Sequence, residues 1–210
     1  MTAQGTIVQG DCLKVLPTLA GGIADLVLTD PPYLVNYRDR QGRSIAGDKD
    51  GGWLMPTFFE IHRVMKPGGF CVCFYGWNRI DQFMAAWKTS GLHPVGHIVF
   101  AKNYASSSGL LAYCHESAYL LLKGKQRRPT QMVLPDVLPW HYTGNKLHPT
   151  QKPVPSLKPL VEAFSQRGEL VLDPFCGSGS SLLAAKILGR RYLGIELSAE
   201  YAETAKRSLQ

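Results

Sequence analysis

The tetrapeptide Asp30-Pro31-Pro32-Tyr33 combines residue types that could hold a flat molecule bearing an amino group. An ionised Asp30 carboxylate only accepts hydrogen bonds. The two prolines fix φ and remove two backbone donors, so this turn would present carbonyl oxygens. Tyr33 adds a ring on which a planar group can stack. The same residues also suit an ordinary turn that ends a strand, with Tyr33 packed beneath it. The tetrapeptide by itself leaves both interpretations open.

A second stretch, near the far end of the chain, has the composition of a nucleoside-binding unit. A strand–turn–helix–strand pattern spans 169–197, with a glycine-rich turn at 173–180. Gly177 and Gly179 would let a ligand approach the backbone closely. Glu196, at the end of the last strand, could accept hydrogen bonds from both hydroxyls of a ribose. The pattern therefore favours a nucleoside ligand.

Two other interpretations of this unit stay open. Nicotinamide dinucleotide sites share the same layout, although Leu182 occupies the place of the third glycine in G-x-G-x-x-G. Phe175 lies inside the turn, where it would place an aromatic edge beside the ligand. A plain loop that packs a helix against a sheet would also produce this pattern.

Composition indicates one globular domain spanning residues 1–210. The hydrophobic share of 45% is ordinary, and no apolar run approaches the length of a membrane span. Five cysteines form no C-x-x-C pair, and the N-terminus does not resemble a signal peptide, so we expect a cytoplasmic protein. Among the six histidines only His93 and His97 have the H-x-x-x-H spacing, and no metal is expected. The net charge of +7 favours a polyanionic partner.

The elements that must position these two stretches alternate between strands and helices, as in a parallel α/β sheet. We expect a mobile polar loop over 36–43, a stop signal at 66–69 and irregular structure over 126–146. Cys71 and Cys73 fall on one face of a central strand, where we expect them to be small core residues. The predicted strands cover 5–9, 23–28, 70–75, 95–102, 117–122, 169–172 and 191–197, and the predicted helices cover 13–20, 53–65, 78–89 and 181–188.

The two motifs together resemble the signatures of S-adenosylmethionine-dependent DNA amino-methyltransferases. Asp-Pro-Pro-Tyr at 30–33 precedes Asp-Pro-Phe-Cys-Gly-Ser-Gly-Ser at 173–180, the permuted order of the β class in that family. The hexapeptide His148 to Pro153 resembles another motif of the class, and Gly10-Asp11 and His115-Glu116 also match. Ser180 replaces the more usual threonine. The resemblance covers nearly the whole chain.

This resemblance implies a fold and a set of site residues. The fold is α/β, a single doubly wound, mostly parallel, seven-stranded Rossmann-like methyltransferase sheet with one antiparallel strand. In such a sheet the strands before Asp30 and Asp173 are neighbours, so both ligands would meet in one crevice. The catalytic residues would be Asp30, Pro31, Pro32 and Tyr33. The residues around S-adenosylmethionine would be Asp11, Cys12, Thr150, Lys152, Asp173, Phe175, Cys176, Gly177, Ser178, Gly179, Ser180 and Glu196.

The implied reaction is direct methyl transfer to an exocyclic amine of double-stranded DNA. The Asp30 carboxylate and the Pro31 carbonyl oxygen would accept the two amine N–H groups, and the attack would then need chiefly alignment. The target base would have to leave the duplex, at a cost of about a few kcal/mol. Phosphate contacts would supply net affinity. The candidate cations are Arg38, Arg40, Arg43, Lys102, Arg127 and Arg128.

The sequence leaves the target and the partners open. Aspartate at the first motif position favours adenine N6 in this family, and cytosine N4 is the alternative. The DNA-recognition segments are short, within 103–114 and 126–147, so dependence on a homodimer partner stays open, as does a cognate restriction nuclease. Two remote alternatives are a nicotinamide-dependent dehydrogenase, which leaves Asp30 to Tyr33 without a role, and a non-catalytic DNA-binding module, which explains the charge alone.

Overall fold

The computed structural model describes residues 5–37, 42, 47–106, 109–126, 132–142, 144 and 147–210. Its strands are β1 (Gly5–Gln9), β2 (Ala24–Thr29), β3 (Met65–Phe74), β4 (Leu92–Ala101), β5 (His115–Lys123), β6 (Val137–Pro139), β7 (Leu170–Asp173) and β8 (Arg191–Glu196). Its α-helices are α1 (Cys12–Val15), α2 (Leu54–Val64), α3 (Ile80–Thr89), α4 (Val154–Phe164), α5 (Ser180–Ile187) and α6 (Ala199–Ser208). Within these described ranges, no helix combines the length and apolar character that crossing a membrane requires.

The eight described strands form one sheet in the order β1-β8-β7-β2-β3-β5-β4-β6. Among them, β5 runs antiparallel to both of its neighbours, and the other pairings are parallel. The mostly parallel α/β sheet with an antiparallel strand is therefore confirmed. The sheet has one strand more than the seven expected, because β6 pairs with β4 inside the stretch predicted to be irregular. A strand of three residues is too short to show a hydrophobic period.

The centre of the sheet joins the two motifs. β2 is buried along its whole length, as its continuous apolar run predicts, and it pairs in parallel with β7 through Leu26↔Val171 and Val27↔Leu172. Asp30 directly follows β2, and Asp173 is the last residue of β7. The expectation that these two strands are neighbours is confirmed. Both aspartates therefore lie at the same edge of the sheet.

Each face of the sheet packs against its own helices. On one face Val27, Cys71 and Cys73 pack with residues of α2 and α3, among them Phe58 and Trp87. On the other face the alternate β2 and β3 residues pack with α4 and α5. The two cysteines are fully buried in the same cluster, so their predicted role as small core residues is confirmed. Helices on both faces make the sheet doubly wound.

Two elements differ from the sequence prediction by more than a shift of their ends. The helix expected over 13–20 is one α-helical turn followed by a short 3-10 helix at Leu16–Thr18, because Pro17 has no N–H to continue the α-helical pattern. The expected stop at 66–69 lies inside β3, where the register with β2 jumps from Ala24↔Met65 to Leu26↔Phe70. The two glycines of this stretch form an irregularity in the strand that the sequence does not distinguish from a loop.

Gly194 in β8 is expected to resist substitution, because a Cβ there would lie 2.4 Å from Leu182 Cδ1 and 2.9 Å from Cys176 Sγ. We expect Gly194→Ala to lower the free energy of unfolding by about 1–3 kcal/mol in urea titrations. Gly96→Ala in β4 is the matched control, since its Cβ would meet Leu120 at an ordinary 3.5 Å. Equal stability of the two variants would contradict this packing.

Candidate active site

A single cleft of about 1360 Å³ runs along the edge of the sheet where β2 and β7 end. Pockets for one small ligand usually measure about 300–1,000 Å³, so this cleft has room for a nucleoside-sized ligand and a second planar group. Most of the predicted site residues line it: Asp11, Cys12, Asp30, Pro31, Pro32, Tyr33, Lys102, Thr150, Lys152, Asp173, Phe175, Cys176, Gly177, Ser178, Ser180 and Glu196.

Six predicted site residues are not part of this lining. Among the described cofactor candidates, Gly179 turns away from the cleft: its φ is +85°, and a Cβ there would contact Ala205 of α6. Its role is to start α5 in a left-handed conformation that glycine adopts without strain. The predicted phosphate contacts Arg38, Arg40, Arg43, Arg127 and Arg128 lie outside the described residues.

The glycine-rich turn is held against β8 by hydrogen bonds to its neighbours. The Gly177 N–H donates to Glu196 Oε2 at 2.9 Å, and the Ser198 N–H donates to Glu196 Oε1 at 2.8 Å. Gly177 has φ +50°, and a Cβ there would meet the His148 ring at 3.4 Å. Burial raises the pKa of the Glu196 carboxyl, and the two backbone donors oppose that shift. The Glu196 carboxylate is thus fixed in place with lone pairs left for a ligand.

Two further carboxylates stand beside Glu196. Asp11 caps α1 by accepting from the Leu13 N–H at 2.9 Å, and its neighbour Gly10 donates to the Glu196 carbonyl oxygen at 2.8 Å. Asp173 accepts from the Phe175 N–H at 3.1 Å and from the Ser181 hydroxyl. Burial raises the pKa of the Asp173 carboxyl to about 7 despite these bonds. Three acidic side chains therefore line the end of the cleft next to the glycine turn.

An aromatic pair closes this end. The Phe175 and Trp53 rings meet edge to face, with centroids 5.1 Å apart, and Trp53 Nε1 donates to the Gly47 carbonyl oxygen at 2.9 Å. Trp53 precedes α2, and sequence reasoning did not assign it to the site. A tryptophan that opens an amphipathic helix looks like a core residue in the sequence. Its place in the cleft depends on how α2 packs against the turn.

In the turn after β2, Asp30 is held by two donors. The Tyr33 hydroxyl donates to Asp30 Oδ1 at 2.7 Å, and Lys152 Nζ donates to Oδ2 at 2.7 Å. The Asp30 side chain keeps 21% of its surface exposed to the cleft. Enclosure by the protein raises the pKa of the Asp30 carboxyl, whereas Lys152 and Tyr33 oppose this shift. Lys152, expected among the cofactor residues, thus contacts the carboxylate of the first motif.

Lys102 was expected to contact DNA phosphates, and the structure places it in an ion pair inside the cleft. Only 3% of its side chain is exposed, and its ammonium forms an ion pair with Glu116. The antiparallel pairing of β4 and β5 brings the two residues together, since Phe100 lies opposite Glu116 and the Lys102 N–H donates to the Cys114 carbonyl oxygen at 2.8 Å. A lysine at a predicted strand end looks solvated in the sequence, whereas here it lies inside the cleft.

The chain after Tyr33 is fixed by a residue that sequence reasoning missed. Leu34 and Asn36 have positive φ values of 61° and 53°, a conformation that costs a non-glycine residue about 1–2 kcal/mol. Asp48 stabilises this turn by accepting from the Val35 and Tyr37 N–H groups at 3.3 and 2.5 Å. Asp48 is 2% exposed. It lies in a polar, aperiodic stretch, so no sequence signal distinguishes it from a surface aspartate.

The family model described as "DNA methylase" matches residues 24–135 and 123–207 of this chain. The chain belongs to the DNA methylase family. "Putative methylase YubD" of Escherichia coli K12 is 54% identical over 202 residues, covering 96% of this chain and 88% of the relative. "DNA adenine methyltransferase YhdJ", from the same organism, is 26% identical over 242 residues, covering 97% of this chain and 82% of the relative.

The fold recurs in solved structures. The crystal structure of the M1.HpyAVI–SAM complex superposes with a TM-score of 0.77 at 24% identity, covering 98% of this chain and 99% of that chain. At this identity the likeness shows the fold alone. This DNA methylase family is dependent on S-adenosylmethionine.

The cleft of this DNA methylase fits such a cofactor by the chemistry of its donor set. Asp11, Asp173 and Glu196 provide acceptors for a ribose diol and for cationic sulfonium and ammonium groups. In the described lining the lysines are Lys102 and Lys152, and each is paired with a carboxylate. The match to the DNA methylase family, rather than the charge of the lining, separates this chain from the dehydrogenase alternative.

The raised pKa of Asp173 predicts that stability depends on pH. Since burial raises this pKa from 3.8 to about 7, the folded state holds a proton that the unfolded chain releases between those values. The free energy of unfolding should therefore fall as pH rises from 4 to 7, by up to roughly 4 kcal/mol from this group.

Urea unfolding of the wild type and of Asp173→Asn across this pH range tests the expectation. The variant cannot titrate at this position, so its stability should decline less steeply with pH than that of the wild type. Glu196 shifts in the same direction in both proteins and so cancels in the comparison, whereas Asp30 is coupled to Asp173 by like charge and contributes to the difference. Parallel curves for the two proteins would show that Asp173 has an ordinary pKa.

Proposed function

We propose that this chain transfers a methyl group from S-adenosylmethionine to the exocyclic N6 amine of an adenine flipped out of double-stranded DNA. The observation that carries the proposal is the shared cleft, which is lined by both the Asp30 carboxylate and the glycine-rich turn after Asp173. Because β2 and β7 are hydrogen-bonded neighbours, an amine held by Asp30 would lie within reach of a methyl donor held by the turn.

The Asp30 end prepares the amine for attack. An exocyclic amine conjugated with its ring is a poor nucleophile, and the Asp30 carboxylate and Pro31 carbonyl oxygen would accept its N–H groups and shift electron density onto nitrogen. Bound S-adenosylmethionine supplies an electrophilic methyl group on a sulfonium and leaves as a neutral thioether. As the N–C bond forms and the S–C bond breaks, the amine releases one proton to Asp30 and then to water.

Base flipping lets the amine reach Asp30. Extrusion costs about a few kcal/mol, and stacking on an aromatic ring such as Tyr33 returns about 1–3 kcal/mol, so these two contributions nearly offset. Net affinity then depends on phosphate contacts. The net charge of +7 supports such contacts, for which Arg38, Arg40, Arg43, Arg127 and Arg128 stay the candidates.

Adenine is favoured over cytosine by two considerations. Aspartate at position 30 matches the form of the motif that leans toward adenine in this family, and the relative YhdJ is named a DNA adenine methyltransferase. The family covers both adenine N6 and cytosine N4 methylases. Cytosine N4 is therefore the second candidate, because its conjugated amine would fit the same acceptors.

We further propose that residues 1–210 form one methyltransferase domain, which reads DNA through segments within 103–114 and 126–147. Because these segments are short, a second copy of the chain bound to the same site would extend the surface that contacts DNA. If a cognate restriction nuclease accompanies the enzyme, methylation would protect the DNA from cleavage, as in restriction–modification systems.

The methylated product tests the target. DNA incubated with the protein and S-adenosylmethionine, then digested to nucleosides and separated by mass spectrometry, should contain N6-methyldeoxyadenosine. N4-methyldeoxycytidine in its place would show that the target is cytosine, and that the protein is nevertheless a DNA methylase. Absence of any methylated nucleoside, with donor binding demonstrated in the same preparation, would favour the non-catalytic DNA-binding alternative.

Asp30→Asn tests the role of the first motif. The amide cannot take up the proton and offers one acceptor in place of two, so we expect the transfer rate to fall by about 10²–10⁴-fold. The dissociation constant for S-adenosylmethionine, measured by calorimetry, should change less than threefold. Asp81→Asn, an exposed position in the first turn of α3, is the matched control and should keep full activity. Loss of cofactor binding in Asp30→Asn would mean that the two ends of the cleft are wrongly assigned.

A further inference from the structure

Lys152 is a buried cation whose position neither motif explains. It lies in the segment before α4, it is 8% exposed, and its ammonium contacts Asp30 Oδ2 at 2.7 Å across 122 positions of sequence. The ammonium also lies 5.3 Å from the centroid of the Tyr33 ring and 5.0 Å from that of Phe74. Burying an ammonium is costly unless an acceptor and favourable ring faces compensate. Here the Asp30 carboxylate is the acceptor, and the Tyr33 and Phe74 rings supply the faces.

The segment that carries Lys152 is held in place on both sides. The Thr150 N–H donates to His148 Nδ1 at 3.3 Å, and the His148 ring meets Tyr201 of α6 edge to face at 4.3 Å. After Lys152, Pro153 caps α4, and the Ser156 and Leu157 N–H groups donate to its carbonyl oxygen at 3.0 and 3.3 Å. A lysine anchored in this way can hold a fixed contact with Asp30 rather than a mobile one.

We propose that Lys152 is a positioning residue for methyl transfer, which together with Tyr33 fixes the orientation of the Asp30 carboxylate and keeps it ionised for the incoming amine. This inference rests on the proposed function, since it needs Asp30 to act on the amine. Tyr33 holds one carboxylate oxygen and Lys152 the other. Each oxygen has a second lone pair, so the carboxylate can still accept an amine N–H at its exposed edge.

Among the charged groups around Asp30, Lys152 is the one that most favours the ionised carboxylate. The groups that face it are Lys152, Tyr33, Glu116, Asp173 and Cys73. Glu116 raises the pKa of Asp30 but is itself paired with Lys102. Burial raises the pKa of the Cys73 thiol well above its ordinary value, so it stays neutral. Lys152 is thus the cation in direct contact with Asp30, and its removal should raise the pKa of that carboxyl.

A protonated Asp30 would accept fewer hydrogen bonds and could not take up the amine proton. The transfer rate should therefore fall on the acidic side of the pH profile, with a midpoint set by Asp30. Removing the positive charge of Lys152 should move this midpoint to higher pH. The rate lost near neutral pH should then return in part as the pH is raised.

Single-turnover methyl transfer measured from pH 5 to 9 tests this inference. We expect Lys152→Met to raise the midpoint of the acidic limb by at least one pH unit and to lower the rate at pH 6.5 by at least tenfold. Lys152→Arg keeps the positive charge, so its midpoint should stay near that of the wild type even where its larger side chain lowers the rate. The dissociation constant for S-adenosylmethionine should change less than threefold in both variants.

Lys66→Met is the matched control for losing the lysine of an ion pair with a buried aspartate. Lys66 contacts Asp25 at 2.8 Å, Asp25 is 1% exposed at its side chain, and neither residue lines the cleft. This variant should lower stability without moving the acidic limb. Where Lys152→Met fails to fold, Lys152→Gln, which keeps an NH2 donor group without the charge, replaces it in the same measurement.

Two results would overturn the proposal. An unmoved acidic limb together with S-adenosylmethionine binding weakened tenfold or more would assign Lys152 to the cofactor. An unmoved limb with unchanged binding would leave Lys152 with a structural role only. Failure of the proposed function itself has a different signature, since the wild type would then form no methylated nucleoside, or Asp30→Asn would transfer methyl groups as fast as the wild type.

Discussion

The parallel pairing of β2 with β7 is the constraint on which the rest of the site depends. Two short, buried, apolar strands lie side by side at the centre of the sheet, and each is followed or ended by an aspartate. Parallel strands end at the same edge, so the pairing alone brings two motifs 143 positions apart into one cleft. The glycine-rich turn and the Asp30 turn, for which we propose cofactor and amine binding, are brought together by this pairing.

Placing carboxylates at the end of a buried sheet has an electrostatic cost that the chain offsets in different ways. Glu196 is held by two backbone N–H groups and Asp173 by a backbone N–H and a serine hydroxyl. Asp30 instead receives a full positive charge from Lys152. The difference matches the tasks proposed for them: a carboxylate that binds ribose or a cation needs a fixed orientation, whereas one that takes a proton from an amine must also stay ionised.

Sequence reasoning predicted best where a local pattern has a local cause. The buried strands at the centre, the helix α2 and the glycine-rich turn all follow from apolar runs, 3.6-residue periodicity or glycine spacing within a few residues. It failed for β6, for the irregular start of β3 and for the surroundings of Lys102. Each of these depends on a partner distant in the sequence, as with the pairing of Lys102 and Glu116 across β4 and β5.

By itself, then, the sequence determined the residue types of the site, the order of its two motifs and the strands that precede them, because these are local chemistry. Only the tertiary structure decided which charges meet. Lys152 lies with Asp30 rather than with the cofactor turn, and Asp48 holds the chain after Tyr33. The physical reason is that an ion pair or a backbone cap is a contact in space. Residue spacing along the chain carries no information about which of several buried acids a given lysine will reach.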